Sequence, residues 1–148
     1  MKFMHIIGQK MKLPNDIPVW GDVKFRGKCP KEVAEQVTFF NEVRKKYPGT
    51  WGVIATHVRN EGKKTAAQVM SEKAEGMTTG ASDIIIGGFY CELKRQDHTQ
   101  CKISDDQIKY LKAVNDLGFY GCIALGYKSA LEAFECYIST TRNGSENN

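Results

Sequence analysis

A pair of glycines between two short apolar runs constrains the fold of this chain more than any other feature. Gly87 and Gly88 separate residues 82–86, which end in three isoleucines, from residues 89–95. Consecutive glycines supply the positive φ angles that tight primed turns need, and such turns join neighbouring antiparallel strands. The sequence therefore predicts a β-hairpin in the middle of the chain.

The register of this hairpin brings two carboxylates together. With the two glycines as the turn, antiparallel pairing places Asp83 opposite Glu92, and facing side chains have Cβ atoms roughly 4.5–5.5 Å apart. Like charges at that separation destabilise a sheet unless something compensates for them. A hard divalent cation compensates well, because it takes carboxylate oxygens and keeps positions for water and a substrate phosphate.

A lysine lies beside this predicted carboxylate pair. Side chains alternate along a strand, so Glu92 and Lys94 project from one face while Cys91 and Leu93 project from the other. In phosphodiester cleavage a metal ion activates water, while an ammonium group orients that water or stabilises developing negative charge. The pattern predicts a metal-dependent nuclease with Asp83, Glu92 and Lys94 as catalytic residues. The simpler alternative is an exposed strand edge that carries a surface ion pair.

The residues after Pro30 show a clear helical pattern. Pro30 suits the first turn of a helix, and Pro48 with Gly49 ends the pattern. The sequence therefore predicts a helix between these prolines. The apolar stripe expected on its buried face consists of Val33, Val37, Phe40, Val43 and Tyr47.

Two polar residues fall inside that stripe. With about 100° of rotation per residue, Glu32 lies between Phe39 and Val43, and Gln36 lies nearer the centre of the stripe. A buried carboxylate needs a partner, and a metal held by the hairpin carboxylates would be one. We therefore expect Glu32 to be the third metal ligand and keep Glu35 as the alternate. A glutamate that caps the first helical turn is the structural alternative.

The remaining elements alternate between strand and helix. They are predicted as a strand at 51–58, a short helix near 66–74, a helix from about 104 to 117, a strand at 119–125 and a helix at 129–138. With the first helix and the hairpin, the order is helix, strand, strand, strand, helix, strand, helix. This order predicts an α/β fold with a mixed four-stranded sheet flanked by helices.

The length of 148 residues suits one domain with a real core better than two. Residues 1–29 contain one short strand-like run at 18–25, and we expect them to form an extension or an added sheet edge. The domain itself is expected to span residues 30–138. Residues 139–148 are polar and are predicted to form a flexible tail.

Two further residues have both a structural and a functional interpretation. Gln107 forms with Ser104 the S-x-x-Q pattern of a helix capping box, yet its amide would also lie near the sheet face that carries Lys94. His57 lies at a strand end, where a structural role is more common than proton transfer. Both interpretations of each residue stay open at this point.

Basic and amide side chains near the predicted site are candidates for contacts with phosphates. Such contacts provide affinity for nucleic acid without reading its sequence. The net charge of +4 is compatible with a polyanionic partner but does not by itself establish one. The predicted nucleic-acid-binding residues are Asn60, Lys63, Lys64 and Arg95.

Cysteine spacing and hydropathy argue against several other classes of protein. The five cysteines include no C-x-x-C pair and no histidines at zinc-finger spacing, so we expect reduced thiols without structural zinc. No apolar run approaches the roughly 20 residues that span a bilayer, and the first residues lack the features of a secretory signal. We therefore expect a cytoplasmic protein that does not associate with membranes.

Taken together, these residues resemble the PD-(D/E)XK nuclease superfamily, and within it the VRR-NUC type found in many phage and bacterial proteins. Asp83, Glu92 and Lys94 match its core signature of D followed by E-x-K. The resemblance runs from about residue 30 to residue 138. The flanking stretches that match are Glu32 with Gln36 as E-x-x-x-Q, residues 60–63 as the loop after the first strand, residues 80–83 where the family often has G-x-P-D, and residues 104–107 as S-x-x-Q.

The resemblance implies a restriction-endonuclease-like core, dependence on Mg²⁺ or Mn²⁺, and DNA as the substrate. It also implies a homodimer that acts on branched DNA such as Holliday junctions, in the host cytoplasm if the protein is phage-encoded. Glu32, Asp83, Glu92 and Lys94 match its catalytic positions. Ser82 departs from the pattern, because it replaces the usual proline. A non-catalytic DNA-binding phage accessory protein that keeps the nuclease fold is the alternative function.

Overall fold

The computed structural model of the chain describes residues 12–58 and 64–146, with side chains through residue 141. Its helices and strands lie in these two ranges. The helices are α1 (Glu32–Lys46), α2 (Trp51–Ile54), α3 (Ala66–Ala74), α4 (Asp105–Asp116) and α5 (Tyr127–Glu146). The strands are β1 (Val19–Trp20), β2 (Thr56–His57), β3 (Ile84–Ile86), β4 (Phe89–Lys94) and β5 (Tyr120–Leu125).

The strands form one mixed sheet in the order β1-β5-β4-β3-β2. Strand β5 is parallel to both of its neighbours, β1 and β4. Strand β3 is antiparallel to both of its neighbours, β4 and β2. The predicted hairpin register is confirmed, since Ile84 pairs with Cys91 and Ile86 with Phe89. Gly87 has φ +60°, as a tight primed turn requires at its first central position.

Helices cover both faces of the sheet, so the predicted α/β fold with a mixed sheet is confirmed. The first core cluster joins α1 and α5 to one face and includes Phe39, Ile84 and Phe134. The second cluster, around Leu111 and Ile123, lies on the opposite face beneath α4. Strand β4 is the central strand of the sheet, so its side chains have little access to solvent.

The sheet has five strands among the described residues, not the predicted four. The additional strand β1 comes from the N-terminal extension, where Val19 pairs with Ile123 of β5. The Trp20 indole N–H donates to the Tyr120 hydroxyl at 2.8 Å. Ile17 is buried in the second core cluster. Residues 12–29 are therefore tied to the domain, and the extension adds an edge to its sheet.

The strand predicted at 51–58 is wrong over its first half. Residues 51–54 form the short helix α2, in which the Ala55 amide donates to the Trp51 carbonyl at 3.0 Å. The Trp51 ring packs edge-on against Phe134, with ring centroids 5.7 Å apart. Phe134 is far from Trp51 in the sequence. Its packing against Trp51 overrides the local preference of tryptophan and valine for strands. Only Thr56–His57 pairs with β3.

The predicted buried stripe of α1 is wrong at two positions. Val33 and Val37 are 67% and 56% exposed. The buried residues of the helix are Glu35, Phe39, Phe40 and Val43. The helix is therefore rotated relative to the predicted stripe, and a glutamate occupies the position where an apolar residue would be expected.

The last helix is longer than predicted. Helix α5 runs from Tyr127 to Glu146, so residues 139–146 are helical and not the flexible tail that we expected. The hydroxyls of Thr140 and Thr141 donate to main-chain carbonyls one turn earlier, at 3.0 Å each. Helix growth is cooperative, and a helix already held by packing extends into polar sequence at little cost.

The predicted positions of two helices are confirmed. Helix α3 covers the predicted residues 66–74, and α4 begins after Ser104 and ends before Gly118, which has φ +90°. All five cysteines are free thiols. No helix in the described part of the chain is long and apolar enough to cross a membrane.

Candidate active site

Strand β4 buries the two charged residues that carry the predicted chemistry. Glu92 is 1% exposed and Lys94 is 5% exposed, because β4 lies between β5 and β3. Cys91 and Leu93 point to the opposite face, into the first core cluster, as predicted. The alternative of an exposed strand edge with a surface ion pair is therefore wrong.

Asp83 lies one residue before β3 and meets Glu92 from the neighbouring strand. Its Oδ2 accepts a hydrogen bond from the Leu93 amide at 3.2 Å. Its own carbonyl oxygen accepts the Val58 amide at 3.0 Å and lies 2.9 Å from Nδ1 of His57, which donates in this contact. His57 thus binds the backbone of Asp83, which is the structural interpretation of this histidine.

The two carboxylates lie in an environment that disfavours their charged forms. Burial raises the pKa of Asp83. Burial, followed by repulsion from Asp83, raises the pKa of Glu92 well above its ordinary value, although the Lys94 ammonium opposes this shift. Two buried carboxylates side by side need a proton or a cation between them.

Gln107 forms the predicted capping box and also reaches the sheet face that carries Lys94. Its main-chain N–H donates to the Ser104 hydroxyl at 3.1 Å, and its side-chain oxygen accepts the main-chain N–H of Ser104 at 2.9 Å. These two hydrogen bonds form a capping box. Its side-chain Nε2 also donates to Oε1 of Glu92 at 2.7 Å. The capping box therefore presents the amide of Gln107 to the buried carboxylate of Glu92.

Lys94 makes one contact that the sequence did not indicate. Its Nζ donates to the main-chain carbonyl of Lys102 at 2.6 Å and lies 3.6 Å from Oε1 of Glu92. A main-chain acceptor depends on how the loop after β4 folds, and no pattern in the sequence encodes it. The ammonium is thereby held beside Glu92.

A cleft of about 430 Å³ opens onto these residues. The cleft is lined by residues of α3, by residues 77–81, by β4 and by the first turn of α4. Lys64 lies at the rim and pairs with Glu72 of α3, with 2.5 Å between Nζ and Oε2. The predicted site residues that line the cleft are Glu32, Lys64, Asp83, Glu92, Lys94 and Gln107.

The structure distinguishes Glu32 from Glu35, the two candidates for a metal ligand on α1. Glu32 lines the cleft, and its charge contributes to the raised pKa of Glu92, after burial and Asp83. Glu35 instead accepts the main-chain N–H of Tyr127 at 2.5 Å and the side-chain amide of Gln96 at 3.4 Å. Glu35 therefore caps the start of α5, where a carboxylate interacts favourably with the helix dipole.

Arg95, another predicted nucleic-acid contact, does not line this cleft. The guanidinium of Arg95 donates to the carbonyls of Cys29 and Pro30 at 2.8 Å and 3.2 Å, so it holds the end of the N-terminal extension. Arg95 thus has a structural role in addition to the phosphate contact that was predicted for it. Asn60 and Lys63 lie outside the described residues.

The carboxylate oxygens at the site fit a hard divalent cation as ligands. Oε2 of Glu92 is buried and has no hydrogen-bond partner among the residues that the structure describes. Carboxylate oxygens are the donors that Mg²⁺ and Mn²⁺ prefer. No group of three His, Cys, Asp or Glu side chains in the described ranges is gathered closely enough to form a complete metal site. Asp83 and Glu92 are the fitting pair, and Glu32 lines the same cleft.

Comparisons with known proteins agree with this geometry at the level of the fold. No family model matches the sequence, and no curated protein matches it. A solved structure described as a "VRR_NUC domain protein" superposes with a TM-score of 0.60 and covers 78% of this chain and 92% of that chain. The chain has a VRR-NUC-like fold. The two sequences are 17% identical, so the likeness concerns the fold alone.

The VRR-NUC-like fold accounts for the resemblance noted in the sequence. It also explains why the sheet and its flanking helices bring together residues that are separated by more than 70 positions in the chain, such as Glu32 and Gln107.

We expect the metal-free protein to become less stable as the pH rises above about 4, the pKa of these carboxyl groups in an unfolded chain. The folded state raises the pKa of Asp83 and of Glu92. This contribution to stability is complete below the pKa values of the unfolded chain and is lost as the pH rises through the folded values. Urea unfolding in the presence of a chelator measures the effect.

The variant Glu92→Gln should show a shallower loss of stability over this pH range, because the amide cannot ionise. The matched control is Glu132→Gln, since Glu132 is an exposed residue of α5. It should behave like the wild type. Identical pH dependence in the wild type and Glu92→Gln would refute this account of the buried pair.

Proposed function

We propose that this protein is a metal-dependent nuclease that hydrolyses phosphodiester bonds in DNA. The observation that carries the proposal is the pair of buried carboxylates, Asp83 and Glu92, which meet beside Lys94 at an open cleft. Two buried carboxylates rarely lie next to each other for structural reasons alone, because the repulsion between them costs stability. A site that holds a cation and a phosphate makes use of this arrangement.

The residues of the cleft would divide the work of binding the metal. Asp83 and Glu92 would hold Mg²⁺ or Mn²⁺, with Glu32 as the third carboxylate. A bound ion of this kind lowers the pKa of a coordinated water and neutralises charge on the scissile phosphate. Gln107 occupies Oε1 of Glu92 and leaves Oε2 without a protein partner among the described residues, so Gln107 orients the carboxylate.

Lys94 supplies positive charge that does not depend on the metal. Its Nζ lies 3.6 Å from Glu92 and is held by the carbonyl of Lys102. An ammonium group fixed in a buried position stabilises negative charge more strongly than a solvated one. We propose that Lys94 orients the attacking water or stabilises the negative charge that develops on the phosphate.

The rim of the cleft is suited to the DNA backbone. Lys64 faces the cleft and is paired with Glu72, a bond that a phosphate could replace. We propose that Lys64, together with Asn60 and Lys63, contacts phosphates without reading sequence. An additional preference for branched DNA, and action as a homodimer, rest on the family resemblance.

Cleavage of a panel of DNA structures tests this proposal. Purified protein is incubated with linear duplex and with a four-way junction of the same sequence, with Mg²⁺ or with a chelator. The proposal predicts metal-dependent cleavage, with the junction cut faster than the duplex. Equal rates on both would contradict the preference for branched DNA. Tight DNA binding without cleavage under any condition would favour the non-catalytic DNA-binding alternative.

A further inference from the structure

The loop that leads into Asp83 packs without a gap against the first turn of α4. Gly80 lies in this loop with φ +83°. A Cβ on Gly80 would lie 2.5 Å from the carbonyl carbon and oxygen of Asp106 and 2.7 Å from the amide nitrogen of Gln107. These are main-chain atoms of a helix, so they cannot move aside as the end of a flexible side chain would. The absence of a side chain at Gly80 therefore sets the distance between the loop and α4.

The first turn of α4 is also the part of the molecule that holds Glu92. Gln107 is fixed by its capping box with Ser104, and its Nε2 donates to Oε1 of Glu92 at 2.7 Å. A displacement of this turn by even a fraction of an ångström would lengthen that hydrogen bond. Hydrogen bonds weaken quickly with distance and angle, so the carboxylate would lose its orientation.

We propose that Gly80 is a positioning residue for the metal site: its close contact with α4 keeps Gln107 at the distance from which it orients Glu92. The proposal rests on the proposed function, because it assigns to Glu92 the role of metal ligand. Gly80 is proposed to act through Gln107. Partners that orient a metal ligand typically contribute about 10-fold to 100-fold to metal affinity.

A second glycine in the same loop supplies a matched control. Gly76 has φ +102°, yet a Cβ placed on it would meet nothing within 4 Å. Gly76→Ala and Gly80→Ala therefore impose similar backbone strain, but only Gly80→Ala presses on α4. The difference between the two variants isolates the contact.

The dissociation constant for Mn²⁺, measured by electron paramagnetic resonance, is the first readout. We expect Gly80→Ala to bind Mn²⁺ about 10-fold more weakly than Gly76→Ala. Gln107→Ala should weaken binding to a similar degree, and the double variant Gly80→Ala/Gln107→Ala should be no weaker than Gln107→Ala alone. Equal Mn²⁺ affinity in the two glycine variants, or full additivity in the double variant, would overturn the proposal.

A second readout is independent of the metal. In ¹⁵N-labelled protein, the side-chain amide resonance of Gln107, identified by its loss in Gln107→Ala, should shift in Gly80→Ala and stay in place in Gly76→Ala. If the wild type binds no Mn²⁺ but this pattern is observed, the nuclease proposal fails while the contact between Gly80 and Gln107 is upheld. An unshifted resonance in Gly80→Ala overturns the positioning role.

A variant on the other side of the contact covers the case in which Gly80→Ala does not fold. Ser104→Ala removes the hydroxyl that accepts the Gln107 amide and leaves the loop untouched. We expect it to bind Mn²⁺ about 3-fold more weakly than Ser139→Ala, a change on the exposed surface of α5. Equal affinity in these two serine variants would contradict the role of the first turn of α4.

Discussion

Replacing Glu92 with glutamine should lower the rate of DNA cleavage on the order of 1000-fold or more, while DNA binding is retained. Glutamine keeps the size of the side chain and can still contact Gln107. It removes the negative charge that would balance a divalent cation at Oε2, the atom without a protein partner in the described structure. Cleavage rates at saturating Mg²⁺ and DNA affinity in a chelator measure the two effects.

Glu132→Gln is the control for this substitution, because it makes the same chemical change on an exposed helix surface. It should cleave DNA at the wild-type rate. DNA binding by Glu92→Gln should keep its dependence on salt, since the contacts that release counterions are unchanged. Unchanged turnover in Glu92→Gln would remove Glu92 from the site.

Replacing Lys94 with methionine should reduce cleavage by about 100-fold or more. Methionine keeps much of the apolar stem but removes the ammonium that lies 3.6 Å from Glu92. Lys94→Arg should fail to restore the rate, because a planar guanidinium does not fit the place of a compact ammonium held by one carbonyl. Single-turnover cleavage rates report the loss directly.

Lys102→Met separates the charge of Lys94 from general effects on this region. The side chain of Lys102 is exposed, and only its main-chain carbonyl contacts Lys94. Cleavage by Lys102→Met should therefore stay close to the wild-type rate. If Lys94→Met and Lys102→Met cleave equally well, Lys94 has no part in the reaction.

The hairpin was predictable because its information is local. Two glycines and the alternation of side chains define the turn, the register and the face on which Glu92 and Lys94 lie. The same locality explains why the capping box of Gln107 was visible in the sequence. Its contact with Glu92 depends on how α4 packs against β4, and the structure shows this contact together with the capping box.

The errors arise where distant packing decides the conformation. The sequence predicted that a strand starts at Trp51, but the contact of Trp51 with Phe134 favours a helical turn. Glu35 lies at a buried position of α1 because the start of α5 provides a main-chain N–H for it. A helical wheel drawn from one segment contains no information about such a partner. For the same reason the sequence did not show that Arg95 donates to the carbonyl of Cys29 in the N-terminal extension.

Nicking of a supercoiled plasmid by the wild type and by Asp83→Ala, with Mg²⁺ or with a chelator, tests the central claim most directly. Asp83 contacts Glu92 across the strands and lines the cleft, so its removal takes away half of the carboxylate pair. The wild type should nick the plasmid with Mg²⁺ alone, and Asp83→Ala should bind the plasmid without nicking it. If both proteins are equally inert while binding stays intact, or cleave equally well, the assignment of this site as a metal-dependent nuclease is contradicted.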